Sequence, residues 1–225
     1  MRHFFYLSLF ALLSLSAGCT GRKQDAPVVP VKKGSVIRYA SGLQIIRYQG
    51  YTIVKVTNPW PDATEAFTYV MKRRGAIVPD SLSTYTVINV PVKRVVVTST
   101  THIPSLEMLG VVNSLVGFPG TNYVSSPRTR ARIDSGKVAE AGANENLNTE
   151  VLMDLAPDAV VGFSISSGNK ALAQLQRSCI KVLYNGDWTE QSPLGKAEWI
   201  KFFGALYDEE KEADAIFAQI EKDYL

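Results

Sequence analysis

Residues 91–117 read PVKRVVVTSTTHIPSLEMLGVVNSLVG. Within them, residues 94–98 (RVVVT) are a β-branched run without polar alternation, the pattern of a strand buried on both faces. Pro104 stands where a helix can begin, and Leu106, Met108 and Leu109 give that helix an apolar side. Gly110 ends it, and a second apolar run, Leu115 and Val116, follows. Strand, polar loop, short helix and strand in this order open a parallel α/β domain. In such a sheet ligands meet the loops after the strands, which makes residues 99–103 a candidate binding loop.

The same texture continues to the end of the chain. Asn148 or Thr149 caps a predicted helix over 150–155, with Glu150 favourable in its first turn. Pro157 and Asp158 lead into a predicted strand over 159–163. A small-residue loop over 164–168 precedes a helix over 170–177, and residues 180–184 form the next strand. Cys179, at its start, is expected to be a packed core thiol. Pro193 opens another helix, in which Trp199, Ile200, Phe203 and Leu206 share one face. Asp208 is expected to cap a last helix whose apolar positions are Ala213, Ile216, Phe217 and Ile220.

Before Pro91 the pattern is β with turns. Short β-prone runs lie at 36–39, 43–48, 51–57, 67–71, 76–78 and 83–90, and Gln49-Gly50 reads as a hairpin turn. This region, 35–90, is expected to be an antiparallel β subdomain. Lys72, Arg73 and Arg74 read as a solvated turn.

The N-terminus indicates destination. Arg2 and His3 precede an apolar run over 4–15 that is too short to span a bilayer and suits a signal-peptide core. It ends in Ser16-Ala17-Gly18-Cys19, small residues before a cysteine, as a lipoprotein signal peptidase requires. Residues 1–19 are therefore predicted to be a lipoprotein signal peptide with Cys19 lipidated. Residues 20–34, with Pro27 and Pro30, are expected to form a flexible tether. The alternative is an ordinary secretory signal with an incidental cysteine. No later segment is apolar enough over a sufficient length to span a membrane. The protein is expected to be exported and held at the cell envelope through the lipid.

Beyond Cys19 about 205 residues remain, enough for one medium domain or two small ones. The net charge of +3 points to no nucleic-acid partner. Cys179 is the one cysteine after Cys19, which excludes an internal disulfide and a CxxC metal or redox site.

Taken together, these pieces resemble the iron-complex and vitamin B12 substrate-binding proteins of ABC importers, the helical-backbone (class III) periplasmic binding proteins. The matches are Pro91, Arg94, Val95, Val96, Glu107, Leu109, Gly110, Leu115, Val116 and Gly117, then Leu155, Pro157, Asp158 and Val160, then Ile180 and Val182. Their order and spacing over about 130 residues carry the resemblance. It implies an α/β substrate-binding lobe over 91–207 and the start of an inter-lobe helix over 208–225. The family's second lobe is missing from that assignment. A lone lobe offers half a cleft, and part of the last helix's apolar face is expected to lack a partner. The β-rich segment over 35–90 is not part of the family's minimal pattern.

The resemblance further implies a permease and its ATPase as partners and a metal chelate as cargo: a ferric siderophore, haem or a corrinoid, with no intrinsic cofactor. Large planar ligands need aromatic faces and hydrogen-bonding groups. On the strand-end loops Tyr123, Phe163 and Trp188 supply faces, while Thr100, Thr101, His102, Asn122 and Asn146 supply polar atoms. His102 is either a hydrogen-bonding loop residue, the favoured role, or an axial ligand. A closed metal site made by this chain alone is not expected. The family docks on its permease through acids at the lobe tips. The matching stretch, residues 166–170, holds none, which leaves Glu145 and Glu190 as substitutes.

Two other classes compete. A hydrolase would need a nucleophile elbow and a triad; no Gly-x-Ser-x-Gly occurs, nor a P-loop or Gly-x-Gly-x-x-Gly after a strand. No catalytic residues are assigned. A non-transport surface lipoprotein, an adhesion or assembly module using the β-rich segment, is the other.

Overall fold

The computed structural model describes residues 34–167 and 169–225. The predicted signal peptide, Cys19 and nearly all of the tether lie outside the described residues, as does Gly168.

The first sheet contains β1 (Leu43–Arg47), β2 (Tyr51–Val56), β3 (Phe67–Arg73) and β4 (Thr86–Val90), in that order. The β1/β2 hairpin closes at Gln49-Gly50 as expected, with Gly50 at φ +92°. The sheet is antiparallel across β1–β3, but β4 runs parallel to β3. Residues 74–85 carry the chain back to the end of the sheet at which β3 starts before β4 begins. The runs at 36–39 and 76–78 form no strands. For the first the reason is visible: the backbone N–H groups of Arg38, Tyr39 and Ala40 donate to the Glu198 carboxylate and not to a neighbouring strand.

The second sheet is parallel. It contains β5 (Val95–Val97), β6 (Leu115–Phe118), β7 (Ala139–Glu140), β10 (Ala159–Gly162) and β11 (Val182–Tyr184), in the order β11-β10-β5-β6-β7. A two-stranded hairpin, β8 (Gly142–Ala143) with β9 (Asn146–Leu147), follows β7. All residues of β5, β10 and β11 are buried, as the unalternating β-branched runs require. Helices α1 (His102–Met108), α2 (Pro127–Asp134), α3 (Thr149–Leu155) and α4 (Lys170–Arg177) connect the strands. Side-chain caps start three of them: Ser126 on α2, Asn148 on α3 and Asn169 on α4.

Three helices close the described chain: α5 (Pro193–Glu198), α6 (Ile200–Tyr207) and α7 (Glu210–Tyr224). All eight residues of α6 are buried, and the core around it is continuous from the first sheet to the second. Asp208 does not cap α7. It ends α6 in the left-handed conformation, φ +58°, and its carboxylate pairs with Arg73. Gly204 lets α7 approach α6, since a Cβ there would stand 2.5 Å from that of Ala213.

The apolar face of α7 is partly covered within this chain: Ala213 and Phe217 are buried, Phe217 against Tyr39 and under the Lys201 ammonium, while Ile216 and Ile220 keep part of their surface exposed. Two further expectations are corrected. Arg73 is no solvated turn residue; it ends β3 and pairs with Asp208 and Glu210, while Arg47 from β1 pairs with Asp214. These ion pairs hold the first sheet to α7. Cys179 is exposed, at φ +62°, because it follows the end of α4 and the strand begins only at Val182.

Candidate functional site

The parallel sheet has a switch point. The chain steps outward from β5 to β6 and β7, then returns to place β10 on the other side of β5. The loops after β5 and β10 therefore diverge, and a crevice opens beyond their carboxyl ends. Thr98 ties its two sides together. Its N–H donates to Val161 O at 3.1 Å, and its buried Oγ1 accepts the Phe163 N–H at 2.8 Å. Phe163 packs edge-on against Trp188, with centroids 5.4 Å apart. Trp188 is carried by the turn after β11. Gly186 opens that turn, and its backbone passes so close to Asn58 that a Cβ would lie 2.4 Å from Asn58 O. The first sheet thus supports the turn that presents Asp187 and Trp188.

Thr101 and Trp188 line one cavity of about 510 Å3, together with Pro104, Ser105, Met108, Asp187, Trp199 and Ile200. Thr100 is exposed beside it. Asn122 and Tyr123 stand on the loop after β6, and Tyr123 is 75% exposed. That loop is joined to the β8/β9 hairpin bearing Asn146 by the Gly120 N–H donating to Gly142 O. Glu140 secures the same junction, accepting from the Gly120, Thr121 and Gly142 N–H groups and the Thr121 hydroxyl. Burial pushes this carboxyl up, but those hydrogen bonds outweigh it and hold it below the usual carboxylate range. Phe163 and Trp188 are thus brought into contact. Asn122, Tyr123 and Asn146 form a separate group on the other arm of the sheet.

His102 is placed differently from the expected loop residue. It belongs to α1, is fully buried, and packs on Phe203 with centroids 5.6 Å apart. Neither ring nitrogen has a hydrogen-bond partner. With no surface it offers no contact to a ligand in this conformation. Burial lowers its pKa, against a smaller upward pull from the Asp187 charge. The unfolded chain takes up this proton near pH 6.5 and the folded chain only at lower pH, so stability is complete above about 6.5 and drains away as pH falls through that window. Urea midpoints should drop from pH 7 to pH 5 in the wild type, and part of that slope should vanish in His102→Leu. Identical slopes in the two proteins would show that the imidazole does not titrate with folding.

Sequence reasoning missed Thr98, Asp187 and Trp199. Thr98 read as a strand residue and Trp199 as one face of a helix; for Asp187 its place beside Trp188 after a strand end was the available signal. Glu190, a candidate docking acid, is buried. It accepts from the Ser41 and Gly42 N–H groups, the Ser41 hydroxyl and the Trp199 indole, and so is structural. Glu145 is exposed. Among the described residues no group of three or more His, Cys, Asp and Glu could hold a metal ion. Among them, too, no helix is long and apolar enough to cross a membrane.

The sequence profile of the family described as "Periplasmic binding protein" matches residues 95–225. The chain belongs to the periplasmic binding protein family, whose members bind substrates and are not enzymes. An uncharacterized lipoprotein of Methanocaldococcus jannaschii is 25% identical over 242 residues, covering 94% of this chain and 58% of the relative. A second lipoprotein of that organism is 26% identical over 249 residues, covering 99% of this chain and 61% of the relative. The chain thus spans about three fifths of the length of these two relatives. Among solved structures, a periplasmic haem-binding protein from Pseudomonas aeruginosa matches 58% of this chain and 44% of its own at 20% identity, TM-score 0.49. A petrobactin-binding protein from Bacillus subtilis matches 60% and 45% at 19% identity, TM-score 0.48.

Proposed function

We infer that the chain is the solute-binding component of an ABC importer, held at the cell envelope through a lipid on Cys19. It captures a metal chelate, a ferric siderophore, haem or a corrinoid, and hands it to a permease. No bond is made or broken. The observation that carries this reading is the aromatic pair Phe163 and Trp188 beside the switch-point crevice, stitched by Thr98. Aromatic faces at strand ends are what a large ring-rich ligand requires. Exposed Tyr123, with Asn122 and Asn146, supplies a second contact group on the other arm of the sheet. Family membership supports binding over catalysis, and the lipoprotein names of the archaeal relatives support the anchor. Of the two acids considered for docking, exposed Glu145 fits that role and buried Glu190 does not.

Fluorescence titration with haem, ferric siderophores and cobalamin tests the reading, with saturable quenching by at least one expected. Trp188→Ala should weaken that binding by about 1–3 kcal/mol through lost stacking area. Unchanged affinity in this variant and in Phe163→Ala would move the site elsewhere. Absence of binding by all three classes in a chain extended through a second lobe would overturn the function.

A further inference from the structure

The loop after β3 carries an apolar run that the fold leaves uncovered. Gly75, at φ +76°, turns the chain out of the strand, and residues 76–79 read Ala-Ile-Val-Pro. Ile77 is 80% exposed. Ala76 seats the run on the β1/β2 hairpin, since a Cβ on Gly50 would lie 2.9 Å from that of Ala76. One exposed isoleucine alone needs no account. This one follows three cations, Lys72 and Arg73 at the end of β3 and Arg74 beyond it. Asp208 and Glu210 occupy Arg73. Arg74 is exposed and Lys72 half-buried, and no ion pair among the described residues engages either.

The chain enters the fold on the same sheet. The Val36 N–H donates to Ile45 O, and the Ser35 hydroxyl accepts the Ile45 N–H, which places residues 35–36 beside β1. Along β1 and across the ladder to β3, Ile45 is roughly 15 Å from the end that bears Arg74. Fifteen peptide units join Cys19 to Gly34, a reach of at most about 50 Å. Between them Arg22, Lys23, Lys32 and Lys33 stand against Asp25 alone. A lipid on Cys19 therefore keeps this end of the sheet within reach of the bilayer, where a second contact forms as an intramolecular event. Cations beside a membrane are drawn to acidic headgroups, and a bare aliphatic side chain enters the boundary between headgroups and acyl chains.

We propose that residues 72–79 are a second membrane contact: Ile77 dips into the interface of an anionic phospholipid bilayer while Lys72 and Arg74 lie on its headgroups. The contact sets which side of the anchored protein faces the bilayer. It rests on lipidation of Cys19 and is independent of the solute bound.

Hydrogen exchange read by mass spectrometry tests it on the lipidated chain, reconstituted in phosphatidylcholine vesicles with and without phosphatidylglycerol. The amides of residues 74–78 should exchange at least about three-fold more slowly on the anionic vesicles, and those of the exposed loop 165–167 equally on both. Salt at about 0.5 M should remove the difference, because it screens the headgroup charge. Ile77→Asp, at an exposed position, should abolish the slowing; the vesicle comparison itself uses the wild-type chain and depends on no variant. Equal exchange on the two vesicles, with the chain floating with both, overturns the contact and leaves the anchor intact. A chain that does not float with vesicles overturns both. Slowing that instead follows protein concentration in detergent assigns the loop to a second copy of the chain and overturns the membrane contact.

Discussion

Glu198→Ala should lower stability by about 3–5 kcal/mol, the cost of leaving one member of a buried ion pair alone. Glu198 is completely buried and accepts from Lys201 Nζ at 2.7 Å. It also accepts the backbone N–H groups of Arg38, Tyr39 and Ala40 at 2.7–3.0 Å. Alanine strands three donors and a lysine whose side chain is 5% exposed. Lys201 keeps only Val36 O, 3.2 Å away, and the Phe217 ring, 4.5 Å from its nitrogen. Urea unfolding measures the loss. Pairing Glu198→Leu with Lys201→Met should recover only the part due to the stranded lysine charge, because the N–H groups of Arg38, Tyr39 and Ala40 stay without their acceptor. A loss below about 1 kcal/mol in Glu198→Ala would mean that water or an alternative partner already serves Lys201.

Trp199→Ala should cost a similar amount, about 3–5 kcal/mol, and should alter the cavity that it lines as well. The indole is buried and lines the cavity, and its Nε1 donates to Glu190 Oε1 at 3.1 Å. Truncation removes a large packing group beside Phe202 and leaves a void that the surrounding helices fill only in part. Trp199→Phe keeps most of the volume and removes one hydrogen bond to a charged group, so about 1–3 kcal/mol is expected. Glu190 still accepts from Ser41 and Gly42 in either variant. Thermal and urea denaturation of the pair separates packing from hydrogen bonding. Equal losses in the two variants would assign the whole effect to the indole N–H.

Both residues act on the same seam. Glu190 and Glu198 hold residues 38–42 to the turn and helix that follow β11. Gly186 and Asn58 bring the first sheet against the Asp187–Trp188 turn. Arg47 and Arg73 clamp the same sheet to α7. The β-rich segment lies outside the matched family profile but is built into the support of the candidate site.

The parallel sheet was legible in the chain itself. Valines 95–97, the apolar residues of β6 and the buried β10 and β11 runs lack alternation because both their faces are covered, and that property is local. The helices between them announced themselves through Asn148 and apolar spacing, and the strand-end loops named Thr101, Phe163 and Trp188 without coordinates. What escaped depends on partners distant along the chain. Residues 38–40 have strand composition, but a carboxylate about 160 residues away takes their hydrogen bonds. Arg73 reads as solvated until α7 brings Asp208 and Glu210 to it. His102 sits in a polar-looking loop, yet the start of α1 turns it inward onto Phe203. A strand's burial follows from its own residue pattern, whereas the partner of a charge or a polar side chain is chosen by the packing of elements that the local sequence does not specify. The sequence by itself therefore determined the sheet and the loops that end its strands; tertiary packing decided which polar groups those loops leave unsatisfied.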